Sequence, residues 1–279
     1  MLNKMFLLIA ACCLILSSCG VSGSSAGNAS SNAGQNQHAE TNTGANDGAP
    51  NGGSNSNAEE DANQQLSEPG YHFDQAYRVI PNNEGADKKV VLLTFDDGPK
   101  EKEVLEQLLD TLDKHEAKAI FFVNGYHVQS NPDLLRLIHD RGQLIGNHSW
   151  DHIDLKQESA DSARKQVEDV QKIVEETIGE RPQFFRPPFG SSNETLHRIT
   201  EDNDLTYITW SNDSMDWDPK FNNPESVVNN IMDQLHPGSN ILMHELPWTA
   251  EALDELLTKI KSEGYGFVDP RMISHPAES

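Results

Sequence analysis

Residues 88–99, KKVVLLTFDDGP, decide the fold. The first eight residues form an apolar run rich in valine and leucine, which is typical of a β-strand covered on both faces. After the acidic pair, apolar residues recur at helical spacing, at Val104, Leu105, Leu108, Leu109 and Leu112. Glu101 and Glu103 fall in the first turn of this helix, where the helix dipole favours negative charge. The stretch therefore predicts a strand and a helix with Asp96 and Asp97 at their junction.

The same alternation continues along the rest of the chain. Short apolar runs that predict strands are separated by helical patterns, and they cover residues 119–123, 143–148, 183–186, 205–211, 240–244 and 265–268. About seven strands that alternate with helices indicate an α/β fold, built as a parallel sheet or barrel. No internal sequence repeat is apparent.

Polar side chains follow the predicted strands at the points where the strands end. After Asp96 and Asp97 on the first strand, they are His148, Arg186, Asp213, Asp216 and His244. Because the carboxyl ends of parallel strands meet at one edge of such a fold, these side chains are expected to lie together. We refer to this edge as the carboxyl-end rim, and it is the predicted site of the chemistry.

The composition limits the classes of function. The chain has 279 residues with 21 basic and 44 acidic side chains, and its formal net charge of −23 argues against nucleic-acid binding. All three cysteines, Cys12, Cys13 and Cys19, lie near the amino terminus. The predicted domain therefore has no thiolate for a disulfide framework or a metal cluster, so any metal must use histidine and carboxylate ligands.

The amino-terminal residues indicate export and a membrane anchor. A basic head and an apolar run too short to span a bilayer predict a signal peptide over residues 1–18. The sequence LSSC resembles the bacterial lipobox, so Cys19 is the candidate lipidation site, with ordinary secretion as the alternative. Residues 19–67 are rich in serine, glycine and asparagine and predict a disordered tether. Residues 68–87 form a lead-in segment with no element assigned, and the predicted domain occupies residues 88–279.

Five short motifs occur in order along this domain. They are TFDDGP at residues 94–99, HSWDH at 148–152, RPPFG at 186–190, DSMDW at 213–217 and ILMHE at 241–245. Each motif is weak alone, but together they resemble the five motifs of the NodB-type polysaccharide deacetylases, carbohydrate esterase family 4. The resemblance covers residues 88–268. It implies a distorted (β/α)7 barrel and the metal-dependent removal of acetyl groups from sugars.

Asp97, His148 and His152 suit a single divalent metal ion. One carboxylate and two imidazoles leave positions open for water and substrate, and such a set suits zinc, with cobalt, nickel or manganese as alternatives. A bound metal polarises an amide carbonyl and lowers the pKa of water towards about 7. The resemblance implies that the adjacent Asp96 is the base that takes the proton from this water.

The resemblance also implies an acid and its supporting residues. His244 would protonate the leaving amine, and Asp216 would raise the pKa of His244. Arg186 would position the base Asp96, and Asp213 would brace Arg186. The predicted catalytic residues are therefore Asp96, Arg186, Asp213, Asp216 and His244.

The remaining motif residues would surround the acetyl group. By resemblance, the backbone amide of Phe189 would stabilise the oxyanion, while Trp217 and Leu242 would form the apolar pocket for the acetyl methyl. This chain departs from the family pattern at Glu245, where similar enzymes usually have aspartate. Because neighbouring residues on a strand point to opposite faces, we expect little effect on the acid His244, although the shape of the cleft could change.

The leading hypothesis is an extracytoplasmic, lipid-anchored hydrolase that faces the cell wall and deacetylates peptidoglycan N-acetylglucosamine. This substrate is inferred from the predicted location alone. Chitooligosaccharides, another N-acetylated exopolysaccharide or O-acetylated xylan remain alternatives. The alternative from another class is a non-catalytic lipoprotein that binds cell-wall glycan. The expected partners are an N-acetylated glycan, peptidoglycan or chitin-like, and the membrane through the lipid anchor; no nucleic acid or protein partner is implied.

Overall fold

A curved sheet of parallel strands forms the centre of a computed structural model, which describes residues 70–275. The strands are β1 (Tyr71–Phe73), β2 (Val79–Pro81), β3 (Val90–Gly98), β4 (Ala119–Val123), β5 (Leu144–Asn147), β6 (Phe184–Phe185), β7 (Thr206–Tyr207), β8 (Asn212–Asp213), β9 (Ser239–His244) and β10 (Gly266–Phe267). The α-helices are α1 (Lys102–Lys114), α2 (Gly125–Ser130), α3 (Pro132–Asp140), α4 (Ala160–Ile178), α5 (Glu194–Asp202), α6 (Pro224–Asp233) and α7 (Pro247–Ser262). The predicted alternation of strands and helices is confirmed.

Strand β3 lies at the centre of the parallel sheet. It pairs with β4 and β9, and the hydrogen-bonded order is β7-β6-β5-β4-β3-β9-β8, with β10 joined to the first residues of β3. Strands β7 and β8 form the two edges of this order, so the sheet curls into a half-barrel that stays open between them. The predicted α/β fold of the distorted-barrel type is confirmed in this open form.

The strand predicted over residues 205–211 is confirmed only in its first part. Strand β7 covers only two of these residues, and the chain then crosses to β8 at the opposite edge of the sheet. Between the two strands, the backbone carbonyl of Thr209 accepts hydrogen bonds from the side chains of Arg186 and Asn240. The carbonyl of Thr209 is therefore hydrogen-bonded to side chains and is not available to a neighbouring strand.

Both faces of β3 are covered, as its unbroken apolar run predicts. Val91, Leu93 and Phe95 pack into the cluster that includes the apolar residues of α1, α6 and α7. Val90 and Leu92 belong to a separate cluster on the other face. The period-two alternation of the strand thus divides one apolar run between an outer core and an inner core.

The lead-in segment closes the inner core. Strands β1 and β2 pair antiparallel, and Val79 of β2 is buried in the same cluster as Val90. The N–H of Val79 donates to the carbonyl of Gly238 at 2.9 Å, and the N–H of Gly238 donates to the carbonyl of Val90 at 2.9 Å. Gly238 therefore links β2 of the lead-in segment to the start of the central strand β3.

The predicted signal peptide, the lipidation site Cys19 and the predicted tether lie outside the described residues. Within residues 70–275, no helix combines the length and the apolar character that are needed to cross a membrane.

We predict that Gly238→Ala destabilises the protein more than Gly179→Ala. Both glycines have left-handed backbone, with φ of 78° and 81°, so alanine meets a similar conformational penalty at each. A Cβ at Gly238 would also collide with the carbonyl oxygen of Val79, whereas a Cβ at Gly179 meets nothing within 4 Å. The free energy of unfolding, measured by urea denaturation, should fall by about 1–3 kcal/mol more for the Gly238 variant. Equal losses would contradict the described contact between the lead-in and the sheet.

Candidate active site

Parallel strands bring the motif residues to the carboxyl-end rim. Asp96 and Asp97 lie near the end of β3, while His148 follows β5 and Arg186 follows β6. His244 is the last residue of β9 and stands in register beside Asp96 on the neighbouring strand. Strand pairing alone therefore places the predicted base next to the predicted acid.

Asp97, His148 and His152 form the candidate metal centre. Nε2 of His148 and Nε2 of His152 lie 3.4 and 3.2 Å from Oδ1 of Asp97. One ligand atom of each residue lies within 4.8 Å of the other two. Oδ1 of Asp97 is buried and has no hydrogen-bond partner within the described chain. A buried carboxylate oxygen that faces two imidazole nitrogens is the arrangement that a cation satisfies.

The hydrogen bonding of His148 determines which of its nitrogens faces this centre. Nδ1 lies 2.7 Å from the backbone carbonyl of Arg186, and because a carbonyl can only accept, Nδ1 carries a proton. In the neutral imidazole, Nε2 then presents its lone pair to the centre. Burial opposes the ionisation of Asp97, but positive charge on the nearby histidines, led by His148, outweighs it and holds the pKa of Asp97 well below its ordinary value, as the charge of a bound cation would. The donor set therefore fits a divalent ion such as zinc.

Both acidic residues of TFDDGP face this centre, although neighbouring strand residues ordinarily point to opposite faces. The register between β3 and β4 shifts at a bulge between Asp96 and Gly98, and Asp97 has a φ of 70°. Bulges of this kind re-aim side chains. Asp97 is thereby turned to the same side as Asp96, whose Oδ2 lies 3.7 Å from Nε2 of His148, next to the metal-ligand set.

Arg186 holds the other oxygen of Asp96. Nη1 of Arg186 donates to Oδ1 of Asp96 at 2.7 Å and to Oγ1 of Thr94 at 2.8 Å. The guanidinium is fully buried and lies 4.3 Å above the ring of Phe122, and burial lowers the pKa of Arg186. A charge-assisted hydrogen bond at this distance fixes the orientation of the carboxylate, so Oδ2 of Asp96 faces the metal-ligand set.

The predicted bracing of Arg186 by Asp213 is wrong as a direct contact. Nη2 of Arg186 donates instead to the backbone carbonyl of Thr209 at 2.8 Å and to Oδ1 of Asn240 at 3.3 Å. The Asp213 carboxylate accepts the N–H of Met215 at 2.8 Å, a local turn interaction, and acts on the guanidinium only through its charge. Burial raises the pKa of Asp213, while this N–H and the side chain of Trp217 lower it.

His244 and Asp216 form the second charged pair of the rim. Nδ1 of His244 lies 2.6 Å from Oδ1 of Asp216, while Oδ2 accepts the backbone N–H of His244 and the hydroxyl of Thr249. Burial alone would lower the pKa of His244, but the carboxylate of Asp216 outweighs it and raises this pKa to about 9. The imidazole is therefore held protonated at neutral pH, as a proton donor requires.

Exposed aromatic side chains surround the centre. Among the described residues, the exposed large apolar side chains are Tyr126, Phe189 and Trp217. Phe189 is 67% exposed and meets the ring of His152 edge-on at 4.9 Å, while Trp217, which follows Asp216, is 55% exposed. Leu242 is buried in β9. The aromatic rings thus stand at an open surface, which can admit a segment of a polymer.

Left-handed backbone conformations concentrate in the motifs. Of the eight non-glycine residues with positive φ in the described chain, five lie in motif segments: Asp97, Ser149, His152, Phe189 and Met215. Such conformations are costly for residues with a side chain, and they persist where the surrounding structure determines them. No pattern in the sequence distinguishes these five positions.

Several buried polar residues that support the rim were missed by sequence reasoning. Asn124 is one example, because its Nδ2 donates to the backbone carbonyl of His148 at 2.7 Å. The others are Thr94, Asn240 and Thr249, described above with the motif residues that they contact. The ring of Trp150, in the second motif, packs over Gly125 of α2. A polar residue within or directly after an apolar run, as in FFVN and SNILMH, is the signal that could have found two of them.

Comparisons with known proteins agree with this geometry. A family model described as polysaccharide deacetylase matches residues 83–208. The peptidoglycan-N-acetylglucosamine deacetylase PgdA of Listeria monocytogenes is 40% identical over 181 residues, which cover 64% of this chain and 38% of that protein. The peptidoglycan-N-acetylmuramic acid deacetylase PdaC of Bacillus subtilis is 38% identical over 192 residues, 68% of this chain and 40% of that protein. The chain thus matches about two fifths of the length of these two relatives.

Solved structures give the same family over most of their length. The structure of PdaC from Bacillus subtilis matches with a TM-score of 0.61 and 37% identity, covering 66% of this chain and 89% of that chain. A CE4 family pseudoenzyme from Bacillus anthracis matches with a TM-score of 0.63 and 34% identity, covering 66% of this chain and 64% of that chain. The chain belongs to the polysaccharide deacetylase family.

We predict that Asp216→Asn lowers the pKa of His244 from about 9 towards the ordinary value of about 6.5. The substitution removes the charge that opposes the effect of burial on the imidazolium. Because the folded-state pKa is raised, the pair stabilises the wild-type fold fully below pH about 6.5, and this contribution is lost as the pH rises through about 9. The measurement is an NMR titration of the His244 ring in metal-free protein, with exposed Asp133→Asn as control. An unchanged pKa would show that Asp216 is not its cause.

Proposed function

We propose that the protein is a metal-dependent hydrolase that removes N-acetyl groups from peptidoglycan, at its N-acetylglucosamine residues. The observation that carries this proposal is that three functional groups lie together at the carboxyl-end rim. These are a metal-ligand set, a carboxylate oriented by a buried Arg186 and an imidazole held protonated by Asp216. The names of the two curated relatives, which act on peptidoglycan N-acetylglucosamine and N-acetylmuramic acid, support the class of substrate.

Asp97, His148 and His152 would hold the metal, and zinc matches this donor set best. When bound, such an ion polarises the acetyl carbonyl and makes water more acidic. Asp96 would accept the proton of the attacking water at Oδ2, because Arg186 holds Oδ1. The two adjacent acids thus have different functions, since one binds the metal and the other moves a proton.

His244 would give the proton that the leaving amine needs. Its Nδ1 is held by Asp216, so the proton on Nε2 is the one available for transfer. The raised pKa of about 9 keeps that proton in place at neutral pH until the carbon–nitrogen bond breaks. Asp216 in turn is fixed by Thr249, so the imidazole keeps one orientation throughout.

Three further residues would receive the acetyl group and its oxyanion. The backbone amide of Phe189 is proposed to donate to the oxyanion, and the left-handed conformation of this residue places its ring beside His152. Trp217 and Leu242 are proposed to contact the acetyl methyl. Asp213 is proposed to support Trp217, because the two side chains interact.

The proposed location is the outer face of the bacterial cell membrane, towards the wall. Cleavage after residue 18 and lipidation of Cys19 would anchor the chain, and residues 19–67 would span the distance to the glycan. Wall-directed relatives support this location.

The competing function is that of a lipoprotein that binds cell-wall glycan without hydrolysing it. One structural neighbour supports this alternative. The Bacillus anthracis protein is described as a pseudoenzyme, and a mutant of it as having restored enzymatic activity. The fold therefore does not guarantee turnover. We favour an enzyme because the base, the acid and all three metal ligands are present in this chain with suitable distances.

The deciding experiment is acetate release by the purified protein. Peptidoglycan, chitooligosaccharides and acetylated xylan are compared with chelator, and then with zinc, cobalt, nickel or manganese restored. We expect release from peptidoglycan that chelator abolishes and metal restores. Release from chitooligosaccharides or xylan alone would replace the substrate, and binding to peptidoglycan without release would establish the competing function. Analysis of the deacetylated sugars would distinguish N-acetylglucosamine from N-acetylmuramic acid.

We predict that Asp96→Asn abolishes turnover while metal binding is largely retained. The amide cannot accept the proton of water, but Asp97, His148 and His152 are unchanged. Acetate release and zinc affinity are measured side by side, with Asp133→Asn as the exposed control. Because Arg186 loses a charged partner, thermal melting establishes that the variant is folded at the assay temperature. Wild-type turnover in this variant would exclude Asp96 as the base.

A further inference from the structure

Glu245 is a buried carboxylate that the proposed reaction does not use. It follows His244 directly, and only 4% of its surface is exposed. Its side chain does not approach the metal-ligand set. It contacts instead residues 98–101, which follow Asp97 and lead from the end of β3 into α1.

The carboxylate fixes the start of α1 from another strand. Oε1 of Glu245 accepts the backbone N–H of Lys100 at 2.7 Å and that of Glu101 at 3.0 Å. Glu101 is the N-cap residue of α1 and Lys100 directly precedes it, so neither backbone N–H has a partner within the helix, and the side chain of Glu101 gives no capping hydrogen bond. Glu245 therefore satisfies backbone groups that the local sequence leaves unpaired.

The second oxygen lies against the residue that follows the metal ligand. A Cβ added to Gly98 would collide with Oε2 of Glu245, so only glycine permits this approach. Oε2 is buried and has no hydrogen-bond partner in the described chain. The backbone N–H of Glu245 also donates to the carbonyl of Asp96 at 3.4 Å. Glu245 thus contacts residues on both sides of Asp97. These are Asp96 before it and Gly98, Lys100 and Glu101 after it.

The turn that Glu245 contacts needs support. Asp97 has a left-handed φ of 70° and lies in the bulge, where the ladder to β4 is interrupted. Nζ of Lys100 lies 3.9 Å from Oδ2 of Asp97, so the position of Lys100 also affects how the ligand carboxylate is turned. Since Glu245 holds the backbone of Lys100, it acts on both ends of this turn.

We infer that Glu245 is a positioning residue that holds Asp97 in its metal-binding arrangement and ties that ligand to the strand of the acid His244. The inference rests on the proposed metal centre. It gives a role to the one motif position where this chain departs from the pattern that it resembles. Glu245 touches neither substrate nor metal, and it acts through the backbone of residues 98–101.

The test compares metal affinity in four variants. Glu245→Ala removes the acceptor of two N–H groups and should weaken zinc affinity by about 10–100-fold, the usual effect of losing a group that orients a ligand. Glu245→Gln keeps an oxygen that can accept both N–H groups, so it should remain within a few-fold of wild type. Gly98→Ala displaces the carboxylate without removing it and should weaken affinity as well. Glu251→Ala, an exposed residue of α7, is the charge-matched control and should have no effect.

The double variant Gly98→Ala/Glu245→Ala separates the inferred contact from independent damage. With the glutamate truncated, the new Cβ has space, so the double variant should bind zinc no more weakly than Glu245→Ala alone. Zinc affinity is measured by competition with a chromophoric chelator, and melting of the metal-free protein reports folding. If Glu245→Ala does not fold, Gly98→Ala and Glu245→Gln still test the inference.

Two results would overturn the inference. One is a folded Glu245→Ala protein with wild-type zinc affinity and only a lower melting temperature, which would make Glu245 a simple helix cap. The other is additive loss in the double variant. These results are distinguishable from failure of the proposed function, because a wild-type protein that binds zinc but releases no acetate would leave the role of Glu245 intact.

Discussion

The rim depends on one buried charge, the guanidinium of Arg186. It is the largest fully buried side chain of the described residues, and a buried cation is costly unless its charge is balanced and its N–H groups find acceptors. Nη1 and Nη2 of Arg186 have acceptors, whereas Nε has no partner in the described chain. The acceptors come from β3, from β9 and from the crossing between β7 and β8. Arg186 therefore connects three parts of the half-barrel, and the base Asp96 is one of its acceptors. Orientation of the base and closure of the fold are consequences of the same hydrogen bonds.

This constraint also explains why the half-barrel can remain open. The edges β7 and β8 are not joined by strand hydrogen bonds, and the gap is bridged by side chains. Asn240 donates to the carbonyls of Tyr77 and Thr209, while its Oδ1 accepts from Arg186. The lead-in residue Tyr77 is thereby joined to the polar centre of the fold. A polar cluster performs the closure that pairing between β7 and β8 would perform in a complete barrel.

The sequence was sufficient to predict the features of the fold that depend on hydrophobic periodicity and on the order of the elements. Apolar runs located the strands, and the rule that parallel strands share a carboxyl end placed Asp96, His148, Arg186 and His244 at one rim. What failed depends on geometry that periodicity does not encode. Asp213 was expected to reach Arg186, but its carboxylate is used by the local turn to Met215. The segment at residues 205–211 reads as one strand because β-branched and aromatic residues dominate it. In the structure, the backbone carbonyl of Thr209 accepts hydrogen bonds from two side chains instead of joining a strand ladder.

The acidic pair shows most clearly where sequence reasoning ends. Alternation on a strand predicts that Asp96 and Asp97 point to opposite faces, which would place only one of them at the metal centre. A bulge and a left-handed residue turn the second carboxylate back, so both reach His148, at 3.7 and 3.4 Å. Their different chemistry then follows from their other contacts. Asp96 is fixed by a buried guanidinium, while Oδ1 of Asp97 has no hydrogen-bond partner among residues 70–275 and faces two imidazoles. Two identical side chains at adjacent positions thus become a base and a ligand because one backbone irregularity separates their partners.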